Sequence, residues 1–308
     1  MGRGENSTFQ AKVFRKLDLG TSGTLLGCAL SPDDNIAASC TQDNKVILWD
    51  VASGSCVGTL EGHQAEVTSC SFGNELLVTG SRDGMILVWK YRELRRTSRI
   101  AVHSGPIHAC VISPNGQFLA TASEDKTARV YTIREGSGEF IQGPQCKLLM
   151  GHTGPVNSIA FSADSQAVVT SSNDATVRIW DVVSGELLAT LEGSRGKVLH
   201  ANFKSDGRQV ISMTRQCVSI WSISKRQIAW EIEDKDGRGF QAVSCHPQLP
   251  MFLLVGMDGT LCGYDLANKT QLFQRSADHK GPVLTCKFSA SGMRAVTGGI
   301  DGKVLVWL

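Results

Sequence analysis

Residues 43–54 read Asp-Asn-Lys-Val-Ile-Leu-Trp-Asp-Val-Ala-Ser-Gly. Lys45 to Trp49 alternate as a strand with one buried face, Asp43-Asn44 has the composition of a tight turn ahead of it, and Asp50 to Gly54 leads into a further strand. The stretch recurs. Its closing aromatic returns as Trp49, Trp89, Tyr131, Trp180, Trp221, Tyr264 and Trp307, with separations of 40, 42, 49, 41, 43 and 43. One Gly-rich insertion, residues 134–145, accounts for the long interval. Six residues ahead of the aromatic stands Asp43, Asp83, Asp125, Asp174, Asp258 or Asp301; Arg215 is the exception. Further upstream lie a strand rich in Val, Leu, Ala and Thr, a turn such as Ser31 to Asp34 or Ser113 to Gly116, and another strand. Four short antiparallel strands per unit, repeated seven times without a helical pattern, predict radial repetition of small twisted sheets.

Two dipeptides sharpen this. Trp49-Asp50 and Trp180-Asp181, with Gly62-His63 and Gly151-His152, resemble the WD40 family, and the resemblance runs from Thr21 to Leu308. It implies an all-β, seven-bladed β-propeller of four-stranded antiparallel blades. One domain is expected over residues 1–308, with 1–20 as an N-terminal arm and closing outer strand and 134–145 as an insertion between blades three and four. The last unit stops after its third strand at Trp307-Leu308, while Phe9 to Leu19 reads as a lone outer strand. Pairing the two would complete the seventh blade and remove an open sheet edge.

Composition narrows the function. The chain has 308 residues, 42 % hydrophobic, with 31 basic against 29 acidic side chains. A net charge of +2 is not that of a chain built to coat nucleic acid or an anionic membrane. Apolar runs such as Met251 to Gly256 are too short to span a bilayer, and Met1 to Gln10 lacks the apolar core of a secretory signal, so a cytosolic or nuclear protein is expected. The ten cysteines include no Cys-x-x-Cys. Cys28, Cys70, Cys110 and Cys286 share a column with Ile159, Ala201 and Val243, which reads as a row of small buried hydrophobes rather than a metal or disulfide framework. Cys146, beside the insertion, is expected to be the exposed thiol. Phosphate-loop and dinucleotide signatures are absent, and no cofactor is expected.

His63, Thr79, Asp83 and Trp89 stand in register with His152, Thr170, Asp174 and Trp180, and with His279, Thr297, Asp301 and Trp307. A hydroxyl, an imidazole and a carboxylate suggest a nucleophilic triad. An enzyme needs one such site, whereas a repeat needs one lock per unit, so the set predicts a structural network. Unit three keeps His103, Thr121 and Asp125 with Tyr131 for the Trp; unit one has Ser39, Asp43 and Trp49 but Thr21 in the His position. Unit five offers Gly193, Ile211 and Arg215, and unit six Asp236, Leu254 and Asp258 with Tyr264, so blades five and six are expected to be the least rigid. The remaining histidines, His108, His200 and His246, read as strand or Pro-turn residues, and no catalytic residue is expected.

Lys90 to Arg99 is a dense basic run, read as the solvated outer strand of blade two rather than a nucleic-acid site. Arg92 and Arg134 each follow the closing aromatic by three residues. This is similar to the Trp-Asp-x-Arg box by which some WD40 proteins dock on the adaptor of a cullin-RING ubiquitin ligase, although Lys90 and Thr132 stand where an acidic residue is usual. The residue before each turn aspartate should project beside the central channel: Gln42, Arg82, Glu124, Asn173, Thr214, Met257 and Ile300. Arg82, Glu124 and Asn173 make a polar side; Met257 and Ile300, with Leu284 and Leu199 from the inner strands, make an apolar one. An apolar anchor beside charge suits a short segment of another protein. The plainer alternative is that Met257 and Ile300 only line the channel mouth. The expected function is a non-enzymatic scaffold, a subunit of a larger complex, with substrate reception for a ubiquitin ligase as the alternative.

Overall fold

The computed structural model describes residues 11–18, 23–133 and 146–308. Seven four-stranded antiparallel sheets follow one another. Blade one comprises Leu25–Leu30, Ile36–Thr41, Lys45–Asp50 and Cys56–Glu61, innermost strand first, and blades two to six repeat that order. Each innermost strand touches those of its two neighbours, and that of blade seven touches that of blade one, so the ring is closed. A single 3-10 turn, Tyr91–Glu93, is the one helical element among the described residues.

Blade seven differs in origin. Val283–Phe288, Ala295–Gly299 and Val304–Trp307 are joined on the outer side by Val13–Leu17, antiparallel to the last strand with Val13 opposite Trp307 and Leu17 opposite Val304. Lys12 N donates to Leu308 O at 3.1 Å and Leu308 N to Lys12 O at 2.9 Å, which extends the seam by one residue pair. Arg294 Nη1 donates to Asp34 O at 2.7 Å, tying blade seven to blade one at the same end. The two ends of the sequence therefore share a blade, and the edge of Val304–Trp307 is covered by Val13–Leu17.

The core lies between blades rather than within one. Val46 and Leu48 of blade one pack with Cys70, Leu77 and Trp89 of blade two, and the same facing recurs around the ring. At the seam Leu17 packs with Leu25, Trp49, Val51 and Val304. Backbones approach closely: a side chain at Gly27 would lie 2.9 Å from Thr68 O of the next blade. The recurrence of the Gly-His pair has a similar cause. Gly62 has φ +150° and Gly151 φ +140°, and a Cβ at either would meet an arginine side chain and approach the Trp89 or Trp180 ring.

Candidate protein-interaction face

The His-Thr-Asp-Trp columns form hydrogen-bonded chains. In blade four, Trp180 Nε1 donates to Thr170 Oγ1 at 2.9 Å, Thr170 Oγ1 lies 2.8 Å from His152 Nε2, and His152 Nδ1 lies 2.8 Å from Asp174 Oδ2. Blades two and seven repeat this through His63, Thr79, Asp83 and Trp89 and through His279, Thr297, Asp301 and Trp307 at 2.9–3.1 Å. A hydroxyl that accepts from indole and donates to Nε2 leaves the proton on Nδ1, facing the carboxylate. Burial lowers the pKa of His103, His152 and His279, outweighing their aspartates. Burial by itself would raise Asp83, Asp125 and Asp174, but hydrogen bonds from histidine, threonine and backbone donors hold them down to about 2. Thr79, Thr170 and Thr297 are 0 % exposed, so no substrate reaches their hydroxyls. These chains hold the blades.

A pH dependence follows. These histidines have folded pKa values below the unfolded value of about 6.5, so the unfolded chain takes the proton first and stability present above that pH is lost as pH falls. The depressed aspartates add a second loss between about pH 4 and about 2. The urea midpoint should be constant from about pH 8 to 7 and fall below about 6; a midpoint that rises in acid would contradict the neutral-histidine lock.

Elsewhere the network is altered. In blade one Trp49 Nε1 donates to Ser39 Oγ at 2.9 Å; Thr21 lies outside the described residues. Blade three keeps His103 at 2.8 Å from Thr121 and 2.9 Å from Asp125. In blade five the expected Thr position, Ile211, is corrected: Trp221 Nε1 donates to Ser212 Oγ at 2.8 Å. The hairpin there is one residue shorter, with Met213 opposite Val218 where blade two has Gly80 opposite Ile86. Blade six replaces the polar chain by Phe252 stacked on Tyr264, centroids 5.2 Å apart, with Arg238 Nη1 at 3.4 Å from Cys262 Sγ. Without the histidine a cleft of about 510 Å³ opens between blades five and six, lined by Trp230, Ile232, Phe240, Tyr264 and charged groups. Most of that charge is already engaged: Arg195 with Glu231 and Glu233, and Arg238 with Asp236.

The short hairpin also corrects the rim. Thr214 is buried, its hydroxyl accepting from Cys217 N at 3.1 Å, and exposed Arg215 takes the place beside Arg82 and Met257. The other rim residues are fixed through their backbones. Gln42, Arg82, Glu124, Asn173, Met257 and Ile300 each donate an amide to an inter-blade loop, to Thr24, Glu66, Pro106, Pro155, Gly239 and Pro282 O, at 2.9–3.1 Å. A bulge opens the inner strand of every blade but the fifth, and its extra residue, Leu26, Thr68, His108, Asn157, Gln241 or Leu284, stands next to this row. Arg82 Nε pairs with Glu66 at 2.9 Å, His108 lies 3.9 Å from Glu124, and Asn157 Nδ2 donates to Asn173 Oδ1 at 2.9 Å. Met257 and Ile300 are 45 % and 42 % exposed, while Leu284 and Leu199 are half-buried.

Five segments, residues 13–50, 54–90, 94–132, 143–181 and 271–307, match the family model described as "WD domain, G-beta repeat". The chain belongs to the WD40 family. This family is generally non-enzymatic. The WD40 chain is 22 % identical over 304 residues to human angio-associated migratory cell protein, covering 93 % of this chain and 68 % of that protein. It is 39 % identical over 97 residues to mouse telomerase protein component 1, covering 30 % of this chain and 4 % of that much longer protein. To zebrafish (Danio rerio) p21-activated protein kinase-interacting protein 1-like it is 27 % identical over 115 residues, covering 37 % and 31 %. The matched WD40 segments omit residues 182–270, which hold the altered locks of blades five and six.

Other features of the WD40 chain are now placed. Arg92 Nη2 lies 2.6 Å from Asp33 Oδ2 of blade one; Arg134, the other arginine of the box, is outside the described residues. Cys28, Cys70, Cys110 and Cys286 are buried as expected, but the exposed thiol is Cys56; Cys146 is half-buried against blade three. Among the described residues no cluster of three or more potential metal ligands occurs, and no helix is long and apolar enough to cross a membrane.

Proposed function

We propose that this WD40 propeller is a non-enzymatic scaffold of the cytoplasm or nucleus, working within a larger protein complex. Its rim of Gln42, Arg82, Glu124, Asn173, Arg215, Met257 and Ile300, with Leu284, receives a segment of another protein. The observation that carries the reading is that Met257 and Ile300, two exposed apolar side chains, are held on tight turns beside charged groups at one end of a rigid ring. A structural row would repeat; this one carries six residue types at seven positions. The printed name of the zebrafish relative, a kinase-interacting protein, is consistent with a protein partner. The ligase-receptor alternative rests on the spacing of Arg92 and Arg134 alone.

The test compares tagged wild type with an Arg82→Glu, Met257→Asp double variant, checked for folding, in quantitative co-purification from cells. Partners retained by the wild type should fall about tenfold or more with the variant. A folded variant with unaltered partners removes the rim from consideration.

A further inference from the structure

The rim is not uniformly available. In blades two and four its polar groups already satisfy one another, through Arg82 with Glu66 and Asn173 with Asn157. A ligand there must displace internal partners, so little affinity is gained. Blades five to seven are different. Arg215 is exposed and meets no carboxylate among the described residues; its Nη1 lies 3.6 Å from Met257 Sδ. Met257 lies over Gly239, whose Cβ position is 3.4 Å from the Met257 side chain, and Ile300 lies over Gly281 in the same way at 3.0 Å. The turn that carries Met257 adjoins the Gly281 loop, since a Cβ at Gly259 would be 3.0 Å from Gly281 O. Arg215, Met257, Gly281 and Ile300 thus form one strip across three blades, a cation at one end and aliphatic side chains at the other. Lys197 and Lys280 stand exposed in the adjoining inter-blade loops and also lack an acidic partner among the described residues.

We infer that the occupant of this strip is an extended segment of a partner protein in which an Asp or Glu stands within about three residues of a bulky apolar side chain. The carboxylate would pair with Arg215 in the charge-assisted, two-pronged manner open to guanidinium, and the apolar residue would cover Met257 and Ile300. Charge complementarity selects this class: a basic segment would be repelled by Arg215, Lys197 and Lys280, and a wholly apolar one would leave Arg215 under a desolvating lid. The inference rests on the rim as the docking face and adds which sector is used and what chemistry it reads.

A phage-displayed library of random twelve-residue peptides, panned on the full chain, supplies the probe. Enriched sequences should carry an acid near a Leu, Ile, Met or aromatic residue. A labelled peptide made from one of them should bind about tenfold or more weakly to Arg215→Glu and to Met257→Asp, and within about twofold of wild type to Arg82→Glu. Changing the peptide acid to Lys should restore binding to Arg215→Glu. Absence of enrichment, enrichment of basic sequences, or binding indifferent to Arg215→Glu overturns the inference. Binding that is lost in Arg82→Glu but kept in Arg215→Glu overturns it while leaving the rim as the docking face; binding indifferent to every rim substitution removes both.

Discussion

Leu17→Ala is expected to destabilise the propeller by about 3 kcal/mol, although the residue stands only sixteen places from the first methionine of the sequence. Leu17 is 0 % exposed and packs with Leu25, Trp49, Val51 and Val304 across the junction of blades seven and one. Truncation removes its burial and leaves a void that neighbours from two blades cannot fill together. Terminal residues ordinarily tolerate change. Lys12, exposed on the same arm, should do so, with Lys12→Ala within about 0.5 kcal/mol of wild type by urea unfolding. Equal tolerance at Leu17 and Lys12 would mean that the arm contributes nothing to closure.

The second large effect separates two aspartates that the sequence sets in one column. Asp174 accepts from His152 Nδ1 and Thr153 N through one oxygen and from Thr176 N and Oγ1 through the other. Its loss strands a buried imidazole proton and unties the chain to Trp180, so Asp174→Ala should cost about 2–4 kcal/mol. Asp258 is exposed and among the described residues accepts only from Thr260 N and Oγ1, so Asp258→Ala should cost less than about 1 kcal/mol. Urea unfolding of the two variants decides this. Similar losses would show that the column, rather than the completed lock, sets stability.

These contrasts mark where sequence alone sufficed. The ring, its closure and the four histidine locks were legible because each depends on residue type at a fixed spacing: an aromatic closing an alternating run, an aspartate six residues ahead, a terminal half-blade matched by a lone strand. Blade five was not legible in the same detail. Counting back from Trp221 reaches Ile211 and Thr214, but the hairpin lacks one residue, and that gap moves the hydroxyl to Ser212 and the rim position to Arg215. The available signal was weak: Ser212 is a hydroxyl one residue from an expected hydroxyl. Nor could spacing predict that Arg82 and Asn173 would be occupied by Glu66 and Asn157, since each pair joins a turn to the opening of the inner strand of the same blade. The exposed thiol at Cys56 instead of Cys146 has the same origin, because alternation along an outer strand does not say which side a neighbouring blade covers.

The wheel as a whole depends on one strand drawn from the beginning of the chain. Amide hydrogen exchange in Val13–Leu17 tests this most directly, since these residues pair with Val304–Trp307. The account predicts that the ladder amides of the arm exchange as slowly as those of the outer strands of blades two to four, and that Leu17→Asp releases arm and last strand together. Exchange of the arm at the rate of an unstructured peptide, with Val304–Trp307 still protected, would contradict it.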